Sequence, residues 1–192
     1  MNTIFISTFN QKVIIGILKN EILLLKEEIT SNKSHSISLI PTIEKVLTIT
    51  KTKLNDLNEI IIINGPGSFT GVRLGVTVAK TLSYTLKIKI KTITSIEAIA
   101  ISSNADKKIV IIPDSKGKYL GIFNNNKLIK EINYLNNIDY NLLIKNYKNY
   151  KIIESEYLDI PKIVLYLKDK KSINPHSVKP MYIKKIEVLN GK

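Results

Sequence analysis

The chain opens on three short apolar stretches divided by polar breaks. Thr3–Phe9, Lys12–Leu18 (KVIIGIL) and Glu21–Ile29 (EILLLKEEI) are rich in Ile, Val and Leu, with Asn10–Gln11 and Lys19–Asn20 between them. Runs rich in β-branched residues, joined by two polar residues, predict antiparallel hairpins. The period then changes. In Ser36–Thr50, Leu39, Ile43, Val46 and Leu47 recur at helical spacing. Ser36 or Ser38 supplies a cap, and Pro41 favours a start near Ser38, so that its lost N–H falls in the first turns. His35 reads as a solvated residue ahead of this helix.

Glu59–Ile63 (EIIII) is a continuous apolar run, the signature of a strand covered on both faces. It leads through GPGSFTG into a second helix, Thr70–Leu86. Lys87–Thr94 (KIKIKTIT) alternates, so it reads as a strand with its lysines outward. Ser95–Ser102 is a short helix, Lys108–Pro113 a buried strand, and Lys118–Phe123 pairs back on it after Asp114–Gly117. Beyond Asn124 the pattern weakens. Lys127–Tyr134 and Lys151–Glu154 read as strands, Asp139–Lys145 and Ile160–Lys168 as helices, and His176–Lys185 as a loop-like tail. The order β-β-β-α-β-α followed by a smaller αβ portion predicts an α/β fold with mixed sheets. The division falls near Ser102–Lys107, giving a lobe of residues 1–102 and a smaller one of 103–192.

Composition narrows the function. The chain has 192 residues and no cysteine, which removes disulfides, thiol nucleophiles and thiolate metal sites. The start, MNTIFISTFNQ, lacks the basic and apolar regions of a signal peptide, and no uncharged apolar run reaches the roughly 18 residues of a membrane span. The expectation is a cytoplasmic protein with no membrane partner. Net charge is +13. Nucleic-acid binding is one explanation. The other is the dominance of Ile, Lys and Asn, as in AT-rich genomes, together with lysines that are scattered along the sequence. Of 29 basic residues one is arginine, Arg73. In a chain that otherwise uses lysine, this points to a site needing the planar guanidinium fork.

Four of the eight glycines lie in Asn64–Leu86, NGPGSFTGVRLGVTVAKTLSYTL. A phosphate cradle is the first reading of such a loop at a helix N-terminus. The details fit it poorly. There is no G-K-[ST], the spacing is G-x-G-x-x-x-G, and Pro66 removes an N–H donor. The second reading concerns the helix face. Gly71, Gly75, Ala79 and Ser83 recur every four residues, and such a stripe lets another element approach closely. The small or apolar arc, which includes Leu74, Val78, Leu82, Val72 and Val76, spans roughly 200°. A helix this broadly apolar buries two sides, one on its own sheet and one on the first helix or another chain. Arg73 sits in the first turn, against the helix dipole, which suits a site that meets an anion.

Asn64–Gly75, NGPGSFTGVRLG, closely resembles the signature of the TsaB (YeaZ-like) family. His35-Ser36 with Leu39-Ile40-Pro41, Asn55–Ile61, Pro113-Asp114 with Lys116-Gly117 and Tyr119, and Pro180–Lys184 (PMYIK) resemble further family features. The resemblance implies an actin-like ATPase (ASKHA, ribonuclease H-like) fold in two lobes with mixed sheets and a reduced C-terminal lobe. It also implies a non-catalytic subunit in the synthesis of threonylcarbamoyladenosine on tRNA. Such a subunit binds a TsaD-like catalytic partner, works with a TsaE-like ATPase, and meets tRNA through the complex. The family's two N-lobe helices form its docking surface and also support a homodimer. On this basis the interface comprises Leu39, Ile43, Val46, Gly71, Val72, Arg73, Gly75, Val76, Ala79 and Ser83. The motif loop is Gly65, Pro66, Gly67, Ser68, Phe69 and Thr70. No intrinsic cofactor, metal ligand or catalytic residue is expected, and nucleotide at the joint surface with the catalytic partner stays open.

One departure bears on turnover. Ser7 stands where the family carries a first-strand aspartate, which in actin-like ATPases helps hold hydrated magnesium. Three alternatives remain: a nucleotide-dependent phosphotransferase on the actin-like fold, a metalloprotease, and a basic tRNA-binding module. The protease reading has only His35 and His176, without H-E-x-x-H. The phosphotransferase reading leaves Asp114, at a strand end, and Glu97 as acid/base candidates.

Overall fold

In the computed structural model, residues 1–31 and 35–183 are described. The first sheet contains β1 (Asn2–Ser7), β2 (Lys12–Lys19), β3 (Ile22–Thr30), β4 (Glu59–Ile63) and β5 (Lys89–Ile93), in the order β3-β2-β1-β4-β5. The opening hairpins are antiparallel, and β4 and β5 join parallel to β1 through helical crossovers. This arrangement is the ribonuclease H-like sheet of the actin-like fold. The second sheet contains β6 (Lys107–Asp114), β7 (Gly117–Asn124), β8 (Lys127–Leu135) and β9 (Lys151–Ile153), in the order β8-β7-β6-β9. It too is mixed, with β9 parallel to β6.

Helices lie between and outside the sheets. α1 (His35–Ile49) and α2 (Phe69–Leu86) cover one face of the first sheet. α3 (Ser95–Ser102) and α5 (Ile160–Leu167) form a shared layer between the two sheets. Gly16 of β2 meets Ile160 of α5 on one side of that layer, and Gly121 of β7 meets Ile96 of α3 on the other. α4 (Asn137–Ile144) covers the outer face of the second sheet. Helices on both faces explain why all five residues of β4 are buried, and why β1 and β2 are buried through their interiors. Val110, Phe123 and Ile153 of the second sheet join the core beneath the first. Ile109, Ile111, Leu120 and Ile122 pack outward against Tyr140 of α4.

Three local expectations are corrected. α1 begins at His35 rather than near Ser38, and Pro41 lies inside it. Pro41 is exposed, and Thr42 Oγ1 adds a bond to the Ser38 carbonyl at 2.6 Å. His35 is half-buried instead of solvated, with Nε2 2.7 Å from the Asn10 carbonyl oxygen. The β5 lysines do not all face outward either. Lys91 is 7% exposed. Its Nζ lies 3.0 Å from Glu59 Oε1 and donates to the Leu167 and Lys168 carbonyls at 2.9 and 3.0 Å. Those carbonyls end α5, where helix C-termini leave acceptors unpaired. A second buried lysine, Lys108, serves the end of α3 in the same way, donating to Ala100 O, Ser103 O and Asn126 Oδ1. Burial lowers the Lys108 pKa below its usual value.

Candidate functional site

The glycine-rich segment connects β4 to α2. Asn64 N–H donates to the Ile93 carbonyl, and Ser95 N–H and Oγ donate to the Gly65 and Pro66 carbonyls at 2.8 and 2.5 Å. Gly65 has φ +102°, and a Cβ there would press on the Met181 carbonyl. At Gly67 (φ +155°) a Cβ would collide with the Phe9 carbonyl. Only glycine serves where positive φ and close backbone approach coincide. Ser68 N–H donates to that Phe9 carbonyl at 2.6 Å, while Ser68 Oγ caps α2 by accepting from Gly71 N–H at 3.2 Å. The loop thus ties together the β1–β2 turn, the start of α3 and the C-terminal segment. Its Ser68 and Gly71 N–H groups are engaged by the chain itself. Phe69 and Thr70 are exposed at its end.

The small-residue stripe faces inward. A Cβ on Gly71 would run into the Thr8 carbonyl, and one on Gly75 into Thr8 Oγ1 and Ile62. Thr8 Oγ1 donates to the Gly71 carbonyl at 2.7 Å. Ser83 Oγ donates to the Ile88 carbonyl at 2.7 Å. Gly71, Val72, Gly75, Val76, Ala79 and Ser83 are all buried in this single chain, as are Leu39, Ile43 and Val46 of α1. The expectation that these nine residues form a docking surface is therefore corrected. The close approach that the glycines permit is to the end of β1, within the same lobe.

The outer surface of the helix pair uses different residues. Leu47 of α1 and Leu74, Val78 and Leu82 of α2 are half-buried along the inter-helix line. Ile37 and Ile40 of α1 are 69% and 45% exposed. Thr70, Thr77 and Thr81 are exposed on α2, together with Phe69, Arg73, Tyr84 and Thr85. Periodicity had placed Leu74, Val78 and Leu82 in the apolar arc, but it does not say which part of an arc its own sheet covers.

Arg73 is exposed, and it stacks on the chain's own aromatic rings. Its guanidinium lies 3.6 Å from the Phe69 ring centroid and 5.4 Å from that of Tyr182, and Nε donates to Tyr182 Oη at 2.6 Å. The fork is used for planar stacking. Met181 N–H donates to Asn64 O at 2.7 Å, Asn64 Nδ2 to Lys179 O at 3.1 Å, and Lys80 Nζ to His176 O at 3.3 Å. The C-terminal segment is fastened along α2 and the motif loop by these bonds. Of the PMYIK pattern, Lys184 lies outside the described residues.

Between the lobes opens a cleft of about 1770 Å³, whose lining includes Phe9, Ser68, Tyr119 and Tyr182. Four carboxylates line it, from Asp114, Asp139, Glu154 and Glu156, against one lysine, Lys116. Tyr134 donates to Asp114 Oδ2 at 3.0 Å. Among the described residues, no group of three or more His, Asp and Glu side chains gathers as metal ligands. Glu97 is engaged locally, closing a capping box with Thr94. No helix among the described residues is long and apolar enough to cross a membrane.

The two sheets and the shared helical layer place the chain among actin-like α/β proteins. Its fold is similar to YeaZ from Pseudomonas aeruginosa, with a TM-score of 0.80, 14% identity, and coverage of 94% of this chain and 100% of that one. In sequence it is similar to the tRNA threonylcarbamoyladenosine biosynthesis protein TsaB of Bacillus subtilis, 35% identical over 100 residues, covering 52% of this chain and 44% of the relative. It is also similar to TsaB of Buchnera aphidicola subsp. Schizaphis graminum, 35% identical over 95 residues, covering 50% of this chain and 40% of the relative. These matches span less than half the length of each relative. Residues 24–137 match the model of the family described as TsaD: tRNA N6-adenosine threonylcarbamoyltransferase, and the chain belongs to that family as a TsaB/YeaZ-like member.

Proposed function

We propose that this chain is a non-catalytic docking subunit in the synthesis of threonylcarbamoyladenosine on tRNA, and that a TsaD-like catalytic subunit seats on the outer face of α1 and α2. The observation that carries the reading is that face itself. Leu47, Leu74, Val78 and Leu82 are half-buried against the core, Ile37 and Ile40 of α1 are exposed, and Thr70, Thr77 and Thr81 are exposed on α2 beside Arg73 and Tyr84. A contiguous apolar face with a polar rim suits protein association. The matching family, described as TsaD: tRNA N6-adenosine threonylcarbamoyltransferase, supports the partner's class. A second copy of this chain competes for the same face. A TsaE-like ATPase and tRNA join through the assembled complex.

The experiment is reconstitution. The TsaD-like and TsaE-like subunits of the same genome are combined with tRNA, threonine, bicarbonate, ATP and the enzyme that makes the threonylcarbamoyl adenylate. Modified nucleoside is then measured by mass spectrometry with and without this chain. Dependence of the modification on the chain supports the reading. Full modification in its absence contradicts it.

A further inference from the structure

We infer that the outer end of the second sheet, remote from the cleft, is a binding surface for the phosphate backbone of RNA; this rests on the chain's proposed place in tRNA modification. The lysines that look scattered in sequence are gathered there by the fold. Residues 145–151 read KNYKNYK, with three lysines and no acid. The period is three, and the structure has the matching geometry. Lys145–Tyr147 form a 3-10 turn, and Tyr150 N–H donates to the Tyr147 carbonyl at 2.9 Å. In that geometry residues three apart project from one side, about 6 Å from each other. Tyr147 and Tyr150 point inward, half-buried on the sheet cluster with ring centroids 5.0 Å apart. Lys145 and Lys148 therefore share the outer side, together with exposed Asn146 and Asn149. The anchored tyrosines fix the backbone that carries these lysines.

The sheet adds more cations to the same face. Lys107 shares its side of β6 with Ile109 and Ile111, which pack beneath α4 and its turn. Asn124 is its register partner on β7, and Lys127 is the partner of Asn124 on β8. Lys130 lies opposite Ile122 on that side as well. Lys107, Lys127 and Lys130 are exposed. Asp106, before Lys107, and exposed Glu131, after Lys130, are carboxylates adjacent to them in the chain.

Polarity along the sheet is what makes the patch directional. β6 runs from Lys107 to Asp114, seven steps or roughly 23 Å. Its far end opens on the cleft, lined by four carboxylates and Lys116, where Lys118 and Lys12 pair with Glu154 and Glu156. The Debye length in physiological salt is about 8 Å, so the two ends act independently on a polyanion. A phosphate chain is attracted to the lysine-rich end, where, among the described residues, no such pairing with carboxylates is seen for Lys107, Lys127, Lys130, Lys145 and Lys148. Lysines with interleaved asparagines and half-exposed tyrosines suit phosphate and sugar contacts without base reading.

The test is fluorescence anisotropy of the full chain with labelled total tRNA, titrated between about 50 and 200 mM salt. The variant Lys107→Glu/Lys145→Glu/Lys148→Glu is compared with a control of equal charge, Lys19→Glu/Lys51→Glu/Lys89→Glu, all exposed in the first lobe. Circular dichroism verifies that both remain folded. The expected result is a salt slope reduced by about 3 in the first variant, with affinity at low salt down at least tenfold and the control within about twofold of the wild type. Equal losses in both variants, no loss in either, or loss of binding only to phosphatidylserine vesicles would overturn the inference. So would a wild-type chain that docks the TsaD-like subunit but never binds tRNA. That outcome leaves the docking reading intact, whereas tRNA binding without docking removes that reading instead.

Discussion

The two sides of α2 are built on opposite plans. Its inner side is made of the smallest residues, and the backbone lies so close to Thr8 that no side chain fits at Gly71 or Gly75. Its outer side carries Leu74, Val78 and Leu82, larger and only half-covered, with threonines between them and solvent. The inner side is specific because it is tight, and it is already satisfied by the chain itself. The outer side is only partly covered by the described residues and has area to bury. A glycine stripe thus marks where a backbone is approached, while incompletely buried leucine and valine mark where a partner would gain contact.

The largest expected effect comes from breaking the inner side. Gly75→Leu forces a side chain into Thr8 and Ile62 and threatens the Thr8–Gly71 hydrogen bond. Overpacking costs about 1–3 kcal/mol or more, and each kcal/mol lowers the melting temperature of a domain this size by about 2–4 °C. Calorimetry should show a fall of about 2–12 °C. An unchanged melting temperature would mean that the stripe is not packed as described. Loss of a complex in this variant reports lost packing, so it does not map an interface.

A smaller effect tests the edge between the two sides. Arg73→Lys keeps the charge but loses the planar stack on Phe69 and Tyr182. Exposed cation–π contacts contribute about 0.5–1 kcal/mol. Limited proteolysis should cut faster near residues 178–183 in the variant, with the melting temperature changed by only a few degrees. Equal cleavage rates would show that Arg73 does not hold the C-terminal segment.

Surface charge should matter least. Glu28 has its pKa lowered below the ordinary 4.5 by its hydrogen bond to Lys12, reinforced by Lys26. The folded form therefore gains stability that is full above the unfolded pKa and is lost as pH falls through the folded one. For an exposed pair the gain is at most about 1 kcal/mol. Glu28→Gln should lower stability at neutral pH by up to about 1 kcal/mol and flatten its further loss below about pH 4.5, so that the two proteins converge in acid, as measured by denaturant titration. An equal acid slope in both proteins would remove this contribution.

Much of the fold was legible because its period is local. Three β-branched runs with two-residue breaks gave the hairpins, and EIIII gave a strand covered on both sides. What escaped depended on residues distant in sequence. Alternation assigns Lys91 to solvent, and only the arrival of Glu59 and the end of α5 explains its burial. Arg73 stood out by composition, yet its partner Tyr182 lies 109 residues away. The stripe Gly71–Ser83 announced a close approach without naming Thr8 as the neighbour. Leu74, Val78 and Leu82 were visible as apolar, but the share of the arc covered by the sheet is a tertiary fact. KNYKNYK was visible too, but its three-residue period matches neither a strand nor an α-helix, and becomes meaningful only as a 3-10 turn.

The most direct test of the account is size-exclusion chromatography with light scattering, on this chain mixed with the TsaD-like subunit of the same genome. Leu74→Asp/Val78→Asp places two charges on half-buried positions of the outer face, and circular dichroism with the melting temperature verifies that the variant remains folded. The account predicts a one-to-one complex with the wild type at micromolar concentration and a loss of affinity of at least about thirtyfold in the folded variant, the scale of an interface hot spot. A complex of undiminished affinity in the double variant would contradict it.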